Sequence, residues 1–179
     1  MNNELKINTN DLKKLITMAS KDVHRDYLTG IRFYSGQMFA TDGHALNIVY
    51  NSALSDELNP WMLTASDVKA LPKNTEVWFD LVGKKLIGTN FSYDLKRVNE
   101  LNLYSFIPKD TTPSVSTKDD NSRFNQICFN PELLLKACKA HPELNAKSPS
   151  IRIEFKDRLS PICVFNSEKL IAVVMPTRM

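Results

Sequence analysis

Asp42 and His44 flank Gly43, and a carboxylate and an imidazole so spaced are groups that could hold a metal ion or pass a proton. Neither chemistry is completed. No third ligand stands near them at a recognisable spacing, and the other carboxylates are scattered through turns and exposed faces rather than converging with His or Lys. His24 and His141 are isolated, which reads as a surface position for both. The glycines Gly30, Gly36, Gly43, Gly83 and Gly88 contain no phosphate-cradling pattern. Cys128, Cys138 and Cys163 are odd in number and widely spaced, outside any C-x-x-C arrangement, and read as buried thiols in a reducing compartment. No cofactor, metal or catalytic residue is therefore expected, and an enzyme acting on nucleotides or DNA is the least favoured class.

The elements that would position Asp42 and His44 are strands. Asp42-Gly43 tolerates the positive φ of a tight two-residue turn, and the flanks Arg32-Phe33-Tyr34 and Leu46-Asn47-Ile48-Val49 alternate as paired strands do. In chain order, a short strand at 4–7 precedes a helix capped from among Asn8, Thr9 and Asn10, with Leu12, Leu15, Ile16 and Ala19 on one apolar stripe. Strands follow at 28–34, 38–41 and 45–50. The pattern repeats with a strand at 60–63, a short helix entered through Thr64-Ala65-Ser66-Asp67 and ended by Pro72, and strands at 76–81, 86–88 and 91–98. It repeats again with a strand at 125–129, a helix opened by Asn130-Pro131-Glu132 with Leu133, Leu134, Ala137 and Cys138 inward, and strands at 151–155, 162–165 and 170–175. The fold class is α+β: about three strand-helix-three-strand units with antiparallel sheets.

The 179 residues can bury a substantial core, and the 42% hydrophobic and 24% charged content is that of a globular protein. The longest apolar run, 170–176, is far shorter than a membrane span, and the N-terminus has no signal-peptide pattern, so a cytoplasmic protein with no membrane contact is expected. Net charge +3 permits contact with nucleic acid without demanding it.

Two tracts point further. Asp22-Val23-His24-Arg25-Asp26-Tyr27-Leu28-Thr29-Gly30-Ile31, followed by Ala40-Thr41-Asp42-Gly43-His44, is similar to the tract and A-T-D-G-H-R-L motif of the middle domain of the bacterial DNA sliding clamp, the beta subunit of DNA polymerase III. Phe106-Ile107-Pro108-Lys109 resembles the Pro-Lys tract leaving that domain, and Val173-Val174-Met175-Pro176-Thr177-Arg178-Met179 resembles the clamp's final V-V-M-P-M-R-L. By position, residues 1–110 resemble the complete middle domain, 111–121 a linker, and 122–179 the second half of the last domain. The resemblance implies a DNA-clamp architecture in which the first domain and half of the last have no counterpart in this sequence.

The same resemblance implies a function. A replication processivity factor would bind the clamp-binding peptides of polymerases and repair proteins in a hydrophobic pocket. The matching positions are Leu28, Thr41, Gly43, His44, Leu46, Pro108, Val173, Met175, Pro176, Arg178 and Met179. Apolar and thioether side chains make an adaptable receptor for Leu and Phe anchors. Ala45 departs from the family's Arg and would reshape one lip of the pocket. Lys13, Lys14, Lys21, Lys69, Lys73, Lys136 and Lys139 match helices that line the clamp's hole, and would meet double-stranded DNA without sequence preference; solvated charge is their plainer reading. The third unit leaves an unpaired sheet edge and would need a partner, so self-association into a ring around DNA is expected. The alternative is a clamp-derived module that forms no ring and regulates or competes with the host clamp.

Overall fold

The computed structural model describes residues 6–34, 36–50, 60–99, 107, 129–141, 144, 151–155, 160–166 and 168–177. The first unit is β1 (Lys6–Asn8), α1 (Thr9–Leu15), β2 (Gly30–Tyr34), β3 (Gln37–Thr41) and β4 (Ala45–Tyr50). Asn8 caps α1, its side chain accepting from Asn10 N–H at 2.9 Å. Helix α1 passes into a 3-10 turn at Ile16–Met18, so Ala19 reaches the core from beyond the α-helix. The second unit is β5 (Trp61–Thr64), α2 (Ala65–Ala70), β6 (Glu76–Asp80), β7 (Lys85–Gly88), β8 (Phe91–Asp94) and β9 (Lys96–Arg97). The third comprises α3 (Pro131–Ala140), β10 (Arg152–Glu154), β11 (Ile162–Asn166) and β12 (Lys169–Val174). Of the strand expected at 125–129 only Phe129 is described, bridged to Pro176.

All strand pairs among the described residues are antiparallel. One sheet runs β1-β6-β7-β8 and the other β10-β11-β12-β4-β3-β2-β5-β9. The first two units exchange their leading strands: β1 pairs with β6, and β5 pairs with β2. Strand β12 then joins β4, with Val173 opposite Leu46 and Val174 opposite Ala45, extending the first unit's sheet into the third unit.

Alternation divides the eight-stranded sheet into two apolar faces. Met38, Ala40, Ala45, Ala172 and Val174 face the helices and pack with Leu12, Leu15, Met18, Val68, Ala137 and Ala140. Phe39, Leu46, Ile48, Cys163, Leu170 and Val173 form a smaller cluster, flanked by Tyr34, Ile107 and Phe165. Where Val164 pairs with Ala172 and Phe165 with Leu170, Ile171 is the extra residue of a bulge, and it joins Ala172 in the helix-facing core.

Several expectations are corrected. The strand expected at 91–98 divides between the sheets at Leu95, which is buried and gives its N–H to Lys84 O at 2.8 Å. The turn after β3 spans residues 42–44 rather than two residues, with positive φ at Gly43 alone among them. His141, expected at the surface, is buried: it ends α3 and its Nε2 lies 3.0 Å from Ile48 O, because α3 docks on β4. The third unit finds a partner for its helix within the chain, since α3 packs on β4, β12 and the turn after α1.

Candidate functional site

The turn at 42–44 is held by its own side chains. Asp42 Oδ1 accepts from His44 N–H and Ala45 N–H, each at 3.0 Å, and Thr41 Oγ1 accepts from Gly43 N–H at 3.0 Å while donating to Ala45 O at 2.8 Å. Gly43 has φ +91°, a conformation side chains resist. The other carboxylate oxygen, Oδ2, receives Lys136 Nζ from α3 at 2.7 Å. Burial alone would push the Asp42 carboxyl up, but the Lys136 ammonium and the two backbone N–H groups outweigh it and hold it below its ordinary value. His44 O accepts Met175 N–H at 2.9 Å, tying the turn to the end of β12. Asp42 is thus a structural anchor, and among the described residues no cluster of three His, Cys, Asp or Glu is placed to hold a metal ion.

Around this junction the structure gathers most of the expected pocket positions. Thr41, Leu46 and Val173 stand opposite one another on β3, β4 and β12, one cross-strand row. Leu28 approaches from above: a Cβ at Gly43 would lie 3.9 Å from Leu28 Cδ1. The accessible groups are different ones. Leu28, Thr41, Leu46 and Val173 are buried, whereas Gly43, His44 and Met175, 42% exposed, reach solvent beside the half-buried Pro176. The row is therefore a floor, and the turn with Met175 is the rim. Pro108, Arg178 and Met179 lie outside the described residues. Ala45 does not form a lip, being buried under the helices opposite Val174.

Two arginines near the junction were missed by sequence reasoning. Arg25 lies at a break between two 3-10 turns of Val23–Leu28, exposed, with Nη1 3.3 Å from where a Gly43 Cβ would stand. It sits inside the family-like tract, but its approach to Gly43 is not a matter of spacing. Arg32, 1% exposed on β2, donates from Nη1 to Tyr27 O at 2.9 Å and from Nη2 to Asn99 O at 2.6 Å, fastening the loop that carries Leu28. Burial lowers its guanidinium pKa to about 10, against the opposing pull of Asp26. A lone cation in the apolar strand 30–34 was the available signal.

The helix side of the sheet carries the lysines. One cavity of about 770 Å³ is lined by Lys13, Lys14, Lys73, Lys136 and Lys139 with Glu132 and the exposed Leu135. An adjoining cavity of about 870 Å³ shares Lys13 and Thr17 with it and adds Lys21, Lys69 and Asp26. All seven lysines singled out in the sequence thus fall along one helix-side surface. Lys13 Nζ also donates to Leu71 O at 2.5 Å, bracing α1 against the end of α2. Among the described residues no helix is long and apolar enough to cross a membrane.

No protein-family model and no curated protein sequence matches the chain. Solved structures do match. The beta clamp of Helicobacter pylori bound to a DNA ligase peptide superposes with TM-score 0.65 at 16% identity, covering 98% of this chain and 65% of that one. The beta chain of DNA polymerase III from Streptococcus pneumoniae gives 0.64 at 19% identity over 98% and 65%, and the sliding clamp of Bacillus subtilis 0.63 at 17% over 98% and 64%. The chain spans just under two thirds of the length of these clamps. Over nearly all of its residues, this protein has the α+β fold of the bacterial DNA polymerase III sliding clamps.

Proposed function

We propose that this protein is a non-enzymatic, clamp-type DNA replication factor, with duplex DNA against its helix side and clamp-binding peptides at the β4–β12 junction. The observation that carries the reading is the placement of Lys13, Lys14, Lys21, Lys69, Lys73, Lys136 and Lys139 along one surface of a sliding-clamp fold. Lysines so arranged meet phosphates as mobile point charges, giving affinity that is independent of sequence and falls steeply with salt.

For the peptide, the likeness to a clamp that holds a ligase peptide supports the rim of Arg25, Gly43, His44, Met175 and Pro176 over the Leu46–Val173 floor. Pro108, Arg178 and Met179 complete it in this reading. Arg25, exposed beside Gly43, supplies the rim with a guanidinium. Residues 1–110 form a complete clamp-like domain, 111–121 a linker and 122–179 a half domain. Among the described residues β1, β8, β9 and β10 are the end strands of the two sheets, suited to pairing with further copies in a ring.

Polarisation of a fluorescent peptide carrying Leu and Phe anchors, combined with retention on nicked circular DNA before and after linearisation, tests the proposal. Peptide binding weakened by Arg25→Ala and Met175→Ala, with retention lost on linearisation, is the expected pair of results. Peptide binding by a strict monomer that linearisation does not affect would favour the module that forms no ring. Absence of binding to either ligand would end the clamp reading.

A further inference from the structure

One residue belongs to both faces. Lys136 lines the lysine cavity together with Lys13, Lys14, Lys73 and Lys139, yet its Nζ is 2.7 Å from Asp42 Oδ2, the carboxylate that builds the turn on the peptide side. From there the connections are short. Asp42 Oδ1 fixes the N–H of His44 and of Ala45, and His44 O receives the N–H of Met175 at 2.9 Å. We propose that Lys136 couples the two faces, so that phosphate binding in the lysine cavity draws its ammonium from Asp42, loosens the 42–44 turn and weakens peptide binding at the β4–β12 junction. The inference rests on the function proposed above and adds its regulation.

The physical basis is competition for one cation. Lys136 is partly accessible, with 36% of its side chain exposed, so a phosphate oxygen can reach Nζ; Asp42, at 18%, is the more enclosed partner. An ammonium has three donors but one charge. A phosphate taking that charge leaves the Asp42 carboxylate half-buried beside a second anion, which favours its turning toward solvent and releasing His44 and Ala45. Glu132, also on the cavity wall, disfavours phosphate near the start of α3, leaving the Lys13, Lys14, Lys136 and Lys139 side as the seat. Linkage makes the effect reciprocal: bound peptide, which needs the ordered turn, weakens phosphate binding by the same factor.

The test is titration of the labelled peptide into the full chain at low salt, with and without a saturating short linear duplex. The expected result is an approximately fivefold weaker Kd with duplex present, at the lower end of ordinary coupling between sites. Lys136→Met should weaken duplex binding and abolish the coupling. Lys139→Met, which removes a charge from the same cavity without touching Asp42, should weaken duplex binding but keep the coupling. Asp42→Asn retains an oxygen for His44 and Ala45 and should also lose the coupling, which guards against misfolding of the Lys136 variant. Peptide affinity unchanged by bound duplex in the unmodified protein would overturn the inference while leaving the proposed function standing. No peptide binding at all would overturn both.

Discussion

Gly43→Ala is the substitution whose cost can be worked from the structure. Gly43 sits at φ +91°, and a Cβ there would lie 3.3 Å from Arg25 Nη1 and 3.9 Å from Leu28 Cδ1. The second distance is ordinary contact. The first asks only the end of an exposed arginine to move a few tenths of an ångström, so steric crowding contributes little. Backbone strain dominates, and a left-handed conformation costs an L-residue about 1–2 kcal/mol. For a chain of this size that is a fall in Tm of roughly 2–8 °C. Relaxation of the strain would rotate the His44 carbonyl away from Met175 N–H, so peptide affinity should fall with stability. Gly43→Asn, whose side chain tolerates the left-handed region better, should recover part of both losses. Thermal unfolding by circular dichroism and peptide polarisation measure the two quantities. An alanine variant within about 0.3 kcal/mol of the unmodified protein, with asparagine no better, would refute the strain argument.

Buried polar groups lead to two more expected outcomes. Asn47, fully buried on β4, donates from Nδ2 to Ala137 O at 2.7 Å, and Asn47→Ala should destabilise the protein by about 1–3 kcal/mol in urea unfolding by stranding that carbonyl of α3. The Asp42 carboxyl has a folded pKa below its ordinary value of 3.8, so the unfolded chain binds more protons between the two values and stability rises with pH there. Its contribution is present above pH 3.8 and disappears as pH falls through the lower folded value; Asp42→Asn should flatten that acid limb and leave the shape of the profile between about pH 5 and 8 unchanged.

The repeated unit was legible because each part carries a local signal: Asn130-Pro131 opening α3, Thr64 opening α2, and alternation through β3 and β4. Strand exchange between units was not, since which sheet β1 or β5 joins depends on packing and not on its own residues. The same holds for β8 and β9, which share one apolar-polar run and separate only because Leu95 turns inward. In the candidate site, the pattern around Thr41, Leu46 and Val173 pointed to strand positions, but their being directly opposite is a fact of register. The approach of Arg25 to Gly43 and of Lys136 to Asp42 was hidden for a shared reason. A long side chain declares its charge in the sequence but not the neighbour it will reach.

The β4–β12 pairing also sets an order of events during synthesis. The partner of residue 46 is residue 173, so the junction cannot close until nearly the whole described chain has left the ribosome. Until β12 arrives, β4 is an end strand with Leu46 and Ile48 uncovered on one face, the kind of segment that captures neighbouring chains. A nascent-chain arrest placed before residue 162 should therefore yield a product that folds its first two units yet binds chaperones, and release should be followed by slow closure typical of pairing between distant residues.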